Sequence, residues 1–424
     1  MKTNYNFKYG SSSVDVALEN TDIIGVLEGN PTVAIQDIKT ALYKALENPI
    51  DSKSLKEAVS GCKKIVIVVS DMTRFWMRQD LVVPFLVDYL TKECSKSYDD
   101  LEIVIANGTH IGGDENELRT LVTSRIFDKV KTVNHDCMAD DLVYLGTTEF
   151  ETPVYVNKDA ASADLVICLG AATYHVMAGF GGGRKSILPG ISGLQTIMHN
   201  HAYSLDSEKF ITNSAIGNGI LKGNPLHEDM CQAASLMPNL FMITLVTDSE
   251  FRLTDIYAGH WKTSWEHACN QVRRMYTVPI KEKADVVITS CGGYPKDISL
   301  YQGTKTVDNV VSALKDGGTL ILFLEGREGG GSPDYFDWIK PLTDGSFEEK
   351  LRTQFTVGGY IFFLNCEQAA KFNILMLSKI PKETVAPMGI HAYTNLDELL
   401  KDAHLEGKSI YVIPNGSTVL PKLT

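Results

Sequence analysis

Residues Lys63–Trp76 read KKIVIVVSDMTRFW. A continuous β-branched run with no polar alternation marks a strand covered on both faces, as strands of a parallel sheet are. The run stops at a polar segment carrying Asp71 and Arg74, and a helical pattern, Leu81–Glu93, follows. Strand, polar loop and helix make one βα unit. The same syntax recurs outward from it. Leu101–Ala106 (LEIVIA) ends in NGTH with His110, Ala163–Gly170 (ADLVICLG) precedes a glycine-rich stretch, and Phe241–Thr247 (FMITLVT) is a fourth buried strand. Upstream, Tyr5–Leu27 alternates around a Gly-Ser turn and predicts a hairpin. Helices are expected at Val33–Leu46, Ser54–Val59 and Glu115–Ser124, and an extended or helical segment at Val154–Ala160.

A helix at Trp265–Met275 closes at Val278-Pro279, where a linker is expected. A second series then begins with the strand Ala284–Ser290 (ADVVITS) and a helix over Ser299–Lys315. Strands Gly318–Glu325, Phe372–Ser378 and Ser409–Ile413 complete it, and Gly326–Ser332 reads as a mobile loop. A chain of 424 residues is long for one core. The predicted fold class is therefore α/β, with two domains built on mostly parallel, Rossmann-like sheets.

Composition narrows the function. A net charge of −12 with no basic run argues against a nucleic-acid partner. Eight cysteines stand singly, with no C-x-x-C pair, which reads as a reduced, intracellular set. MKTNYNFKYG has no signal-like apolar core, and no later apolar run spans a bilayer. The expectation is a cytoplasmic protein with no membrane partner.

The chemistry concentrates in Tyr174–His201, YHVMAGFGGGRKSILPGISGLQTIMHNH. It holds His175, the run Gly181, Gly182 and Gly183, then Arg184, Lys185 and Ser186, and finally His199 and His201. A glycine loop opening a helix near Ser186 would suit an anion such as phosphate. Arg184 beside Lys185 would favour a neutral, nucleophilic amine. It is no nucleotide P-loop, because Arg184 separates Gly183 from Lys185, and no G-x-G-x-x-G frame fits. Asp71, Arg74, His110 and His175 lie just past strand ends, where open α/β sheets bind ligands. Two imidazoles there suit acid–base work, and Arg74 suits a carboxylate. Each also has a bland reading: a solvated histidine, a capping aspartate, a surface arginine. Tyr301, Gln302 and Lys305 share a turn of one helix, with an exposed helix start as the plain alternative. His135, His227, His260, His267, His391 and His404 lack such company and read as structural.

These residues resemble the nickel-pincer lactate racemases and related 2-hydroxy acid racemases and epimerases. The resemblance spans the chain and is carried by SDMTR, NGTH, YHVMAGFGGGRKSILPGI, MHNH and GGYPKDISLYQGTK. It implies a pyridinium mononucleotide with two sulfur-containing arms that holds nickel, the pyridinium-3-thioamide-5-thiocarboxylic acid mononucleotide. Lys185 would bear it covalently, Gly181 to Arg184 would surround it, and His201 would ligate nickel. His110 and His175 would be the catalytic pair. Asp71, Arg74, Tyr301, Gln302, Lys305 and Phe355 would face the small 2-hydroxy acid substrate. Proteins of cofactor biosynthesis would be partners. It further implies an active site between two domains: residues 1–270, catalytic and cofactor-binding, with 408–424 returning to it, and residues 276–407. The chain departs from the lactate enzymes at His110-Ile111-Gly112, where they carry His-Arg-Pro, and at Phe355, where a Trp is common. These changes bear on which hydroxy acid is the substrate. A phosphotransferase using the glycine loop, and a nickel-cofactor carrier without turnover, are the alternatives.

Overall fold

Two six-stranded sheets organise the chain, each within its own compact unit. The computed structural model describes residues 2–19 and 21–424. One unit, here the inserted unit, comprises residues 32–203 and 215–273; the other, the terminal unit, comprises 1–31, 204–214 and 274–424.

In the inserted unit the strand order is Leu253–Gly259, Leu240–Thr247, Leu165–Ala171, Ile65–Ser70, Leu101–Ala106, Lys131–Asn134. All neighbours run parallel except the first pair. From Ile65–Ser70 the chain first builds outward through Leu101–Ala106, then crosses back to lay Leu165–Ala171 on the other side. The order therefore reverses between Ile65–Ser70 and Leu165–Ala171, and such a reversal opens a crevice at the strands' carboxyl ends. Five consecutive residues, Ile65 to Val69, are fully buried. At roughly 1.5–3 kcal/mol for each buried aliphatic side chain, this strand is a stiff frame for the loops it carries.

The terminal unit holds an all-parallel sheet, ordered Ile390–Tyr393, Asn373–Leu377, Leu314–Phe323, Ala284–Ser290, Ser409–Ile413, Asp22–Val26. This corrects the expected boundaries. Ser409–Ile413 does not return to a domain built from residues 1–270. It pairs with Ala284–Ser290 on one side and Asp22–Val26 on the other. Residues 1–31 belong here because Phe7, Val16 and Leu18 of the hairpin Lys2–Tyr9/Ser12–Glu19 share one core with Val286, Ile321, Phe323 and Val412.

Other differences are local. The first helix starts at Ile38, not Val33, because the Asp37 side chain caps it by accepting from Thr40 N. The segment expected at Leu81–Glu93 splits into the helix Val83–Asp88 and a π-helical turn, Tyr89–Glu93. The glycine-rich 326–332 loop is tied down along 297–301, with Gly326 N on Asp297 O, Glu328 N on Ile298 O, and Gly329 O and Gly330 O accepting from Leu300 and Tyr301. All eight cysteines are unbridged. Among the described residues no helix is long and apolar enough to cross a membrane.

Candidate active site

The strand Ile65–Ser70 delivers the chain directly to Asp71, which caps the short 3₁₀ turn Met72–Met77. Asp71 Oδ1 accepts from Thr73 N at 3.0 Å and from the Thr73 hydroxyl. Only 4 % of Asp71 is exposed, so its second oxygen needs a partner. That partner is His110 Nδ1, 2.6 Å away. Arg74 Nη1 lies 3.4 Å from Asp71 Oδ1 and donates to Thr73 Oγ1 at 3.0 Å. Burial alone would raise the Asp71 carboxyl. The charges of His110 and Arg74 outweigh it and hold the carboxyl well below the ordinary range. An ionised carboxylate only accepts, so His110 carries a proton on Nδ1 in either state, and its neutral form has the lone pair on Nε2. His110 is thus built as a base oriented by a buried carboxylate.

His175 is set up differently. It sits in a two-residue hairpin, Tyr174–His175 against Gly179–Phe180, just beyond Leu165–Ala171. Its Nδ1 accepts from Met177 N and Ala178 N, each at 3.2 Å. Two donors on Nδ1 select the tautomer with hydrogen on Nε2. One imidazole therefore offers a lone pair and the other an N–H. The two histidines of the expected pair are thus set up unequally: His175 becomes a base at Nε2 only by giving up both backbone bonds.

The glycine loop follows. Gly182 and Gly183 have φ of +68° and +60°. A Cβ would lie 2.6 Å from Ala171 O at Gly182 and 2.5 Å from Trp265 Cγ at Gly183, so only glycine fits. Three amides of the stretch have backbone acceptors: Gly181 N on Thr173 O, Lys185 N on Gly182 O and Gly190 N on Lys185 O. No helix opens near Ser186. Gly183–Ser186 is a single 3₁₀ turn, and the next α-helix is Leu194–Ala202. The expectation of a helix opening near Ser186 is corrected accordingly.

Arg184 is corrected too. It is fully buried, donates to the carbonyls of Phe180 at 2.7 Å and of Ala178, and lies 4.2 Å over the Trp265 ring. Burial lowers its guanidinium to about 10. It clamps the loop from beneath and does not reach toward a ligand. Lys185, next along, is half-buried.

His201 lies on Leu194–Ala202 and is 4 % exposed. Its Nδ1–H donates to Ile197 O at 3.0 Å, which places the lone pair on Nε2. Burial, reinforced by the Lys185 charge, pushes its imidazolium form down to about 3. A neutral imidazole with a fixed tautomer is what a divalent metal requires. Among the described residues no three His, Cys, Asp or Glu side chains converge as a metal-holding group. His201 is thus suited as a single protein donor to a metal whose other donors come with a cofactor. The neighbouring Asn200 anchors the helix, giving its Nδ2 hydrogens to Asp229 Oδ2 at 2.8 Å and Leu226 O at 3.1 Å. The fully buried Asp229 also accepts from Thr148 and Thr152. His199 points away, exposed, with its Nδ1 2.9 Å from Thr152 Oγ1. Sequence reasoning missed Asp229 and Trp265. A lone aspartate gave no signal, and Trp265 read only as the start of a helix.

In the terminal unit, Ser299 caps the helix Leu300–Val310 by accepting from Gln302 N. The backbone donors of Leu300 and Tyr301 are taken by Gly329 O and Gly330 O, so recognition on this helix falls to side chains. Lys305 Nζ donates to Gln302 Oε1 at 2.7 Å, which orients the Gln302 amide with its N–H groups as donors. Phe355 stacks on Tyr360 with ring centroids 6.2 Å apart. One turn beyond Lys305, burial and the nearby Glu367 raise Asp308 from 3.8 to about 7, against the opposing Lys371 charge. The folded state thus holds this proton more tightly than the unfolded chain does. Asp308 therefore costs stability progressively from about pH 4 to 7 and fully above 7. Asp308→Asn should raise the thermal midpoint more at pH 8 than at pH 4, as scanning calorimetry would show.

Asp71→Asn tests the dyad. An amide holds the ring without the charge that keeps hydrogen on Nδ1. Turnover should fall about 10²-fold or more with KM little changed. Steady-state kinetics with an unaltered thermal midpoint would check this.

Comparison with known proteins shows the family and the fold. Residues 9–212 match the family profile described as Lactate racemase N-terminal domain, and residues 280–420 match Lactate racemase C-terminal domain. A curated lactate racemase from Thermoanaerobacterium thermosaccharolyticum is 34% identical over 345 residues, 80% of this chain and 79% of that one. One from Lactiplantibacillus plantarum is 29% identical over 394 residues, covering 89% and 90%. The structure of the Thermoanaerobacterium lactate racemase apoprotein superposes with a TM-score of 0.88 at 30% identity, over 99% of this chain and 100% of that one. A crystal structure of a Thermotoga maritima protein, 18% identical with a TM-score of 0.68 over 93% of this chain, shares the fold.

Proposed function

Because the chain belongs to the lactate racemase family, we propose that it interconverts the two configurations at C2 of a 2-hydroxy acid, lactate or a close relative, with a nickel pincer cofactor. The observation that carries this reading is the Asp71–His110 dyad at the mouth of the sheet crevice, 2.6 Å between its heavy atoms. A base so placed has a use in this reaction. The C2 hydrogen of a hydroxy acid is too weakly acidic for an imidazole to take, whereas the hydroxyl proton is within its reach if the C2 hydrogen departs with its electron pair.

His110 Nε2 takes the hydroxyl proton. Arg74 has room for a carboxylate, since both of its bonds to Asp71 and Thr73 use Nη1. Within the terminal unit, Gln302 and Lys305 carry donors of the kind that substrate oxygens accept, and Tyr301 and Phe355 are that unit's other candidates. His175 supplies the Nε2–H that donates to the substrate oxygen. What remains is a planar 2-keto acid, and either face can take the hydrogen back. Protein side chains accept no hydride, and the nickel pincer group, when bound, supplies that capacity. Lys185 would hold it covalently and His201 would ligate its nickel, as their placement on the glycine loop and the adjoining helix fits. Proteins that build and attach the cofactor are the implied partners.

The test is incubation of cofactor-loaded, nucleotide-free protein with enantiopure 2-hydroxy acids, read by chiral chromatography. The panel runs from lactate through longer aliphatic, aromatic and dicarboxylic acids to sugar acids. Accumulation of the opposite configuration in at least one case, with no dependence on ATP, is the expected outcome. Inversion of none of them would sink the reading.

A further inference from the structure

Lys185 stands on a loop whose own bonds turn inward, and one side chain lies beneath the whole of it. Trp265 is fully buried on the helix Thr263–Tyr276. Its Nε1–H donates to Gly181 O at 2.8 Å. The Gly183 backbone rests directly on the indole, since a Cβ there would come within 2.5 Å of Cγ. The Arg184 guanidinium covers the ring at 4.2 Å, and Phe180 meets it edge-on at 6.5 Å. His227 stacks on it at 5.7 Å with 29° between planes. Gly181, Gly183 and Arg184 thus make three different kinds of contact with one indole. All three fall within the four residues before Lys185.

We propose that Trp265 is a positioning residue for Lys185, a platform that fixes where the lysine amine stands. A hydrogen bond, a glycine stacked without a side chain and a cation over the ring specify the height, tilt and register of the 181–184 segment. A residue serving only as core filling needs none of these. His227, earlier read as structural, acts as the backing layer of the same platform. Its contact with Cys231 Sγ, 3.7 Å from its Nδ1, keeps the ring in place. The consequence for catalysis rests on the functional reading above, whereas the placement of Lys185 does not.

The test uses Trp265→Phe and Trp265→Leu. Phenylalanine keeps an aromatic face but loses the bond to Gly181, and leucine loses both. In cofactor-free protein, trace acylation followed by peptide mass analysis gives the reactivity of Lys185 relative to the exposed Lys53. That ratio should change about fivefold in the Phe variant, the worth of one N–H···O bond, and more in the Leu variant. In loaded protein, kcat should fall about as much while KM stays within about twofold. Circular dichroism at the assay temperature establishes that the Phe variant, which carries the test if the Leu variant does not fold, is native. An unchanged acylation ratio in the folded Phe variant would overturn the proposal. Failure of wild-type protein to load cofactor would count against the family reading alone, because the acylation arm needs no cofactor.

Discussion

Replacing His110 by alanine should lower racemisation about 10²–10⁴-fold, the usual cost of a lost general base. The loss must be the same in kcat/KM from either enantiomer, because the two have equal free energy and the overall equilibrium constant is one. Cofactor loading should be untouched, since attachment is assigned to Lys185 and His201 and not to the Asp71–His110 dyad. The sharper expectation concerns His175. Its Nδ1 is held by two backbone N–H groups, so its resident role is that of an Nε2–H donor. An amide N–H can imitate a donor but cannot imitate a base. His175→Gln should therefore retain about tenfold more activity than His175→Ala, roughly what a charge-neutral hydrogen bond is worth, while His110→Gln should be no better than His110→Ala. Steady-state assays by chiral chromatography on the four variants decide it. Equal behaviour of the two glutamine variants would mean that His175 exchanges tautomers freely and that the asymmetry has no catalytic consequence.

Lys185→Ala carries the second large effect, complete loss of the covalent adduct. Intact-mass measurement of protein co-expressed with the cofactor-making enzymes is the readout, and the wild-type chain should show the added mass of one cofactor. The amine is the only nucleophile on this loop that is not buried: Arg184 lies beneath it and Ser186 is buried. An unchanged adduct in Lys185→Ala would place the attachment elsewhere. Arg184→Ala should fail in another way. With the guanidinium gone, the Phe180 carbonyl loses its donor and the Trp265 ring its cover, so the expected defect is a lower thermal midpoint.

The sequence declares some of this and hides the rest. Leu101–Ala106, Ala284–Ser290 and Ser409–Ile413 are strands over the spans their apolar runs predict, because a strand buried on both faces writes its length in side chains. Lys131–Asn134 and Leu253–Gly259 escape notice. They lie at sheet edges, where half the residues face water and the run is broken by polar positions. The partner of Ser409–Ile413 is hidden for another reason. Parallel pairing leaves no local trace of which strands adjoin, and the hairpin at the chain's start shows its true core only through Phe7, Val16 and Leu18. In the site, the strand-end rule placed Asp71, Arg74, His110 and His175 correctly beyond their strands. It could not show that Asp71 joins His110 across 39 residues, nor that backbone donors claim His175 Nδ1. Arg184 was misread because a guanidinium in a glycine loop looks directed at a ligand, while the indole that buries it lies far along the chain.

The central claim is that the C2 hydrogen moves with its electron pair and is returned, not exchanged as a proton. Its most direct test is racemisation of an enantiopure substrate bearing deuterium at C2, run in ordinary water with cofactor-loaded protein and followed by chiral separation and mass measurement. The account predicts that the newly formed enantiomer keeps its deuterium. Product that has taken its C2 hydrogen from water, turnover for turnover with inversion, would contradict it.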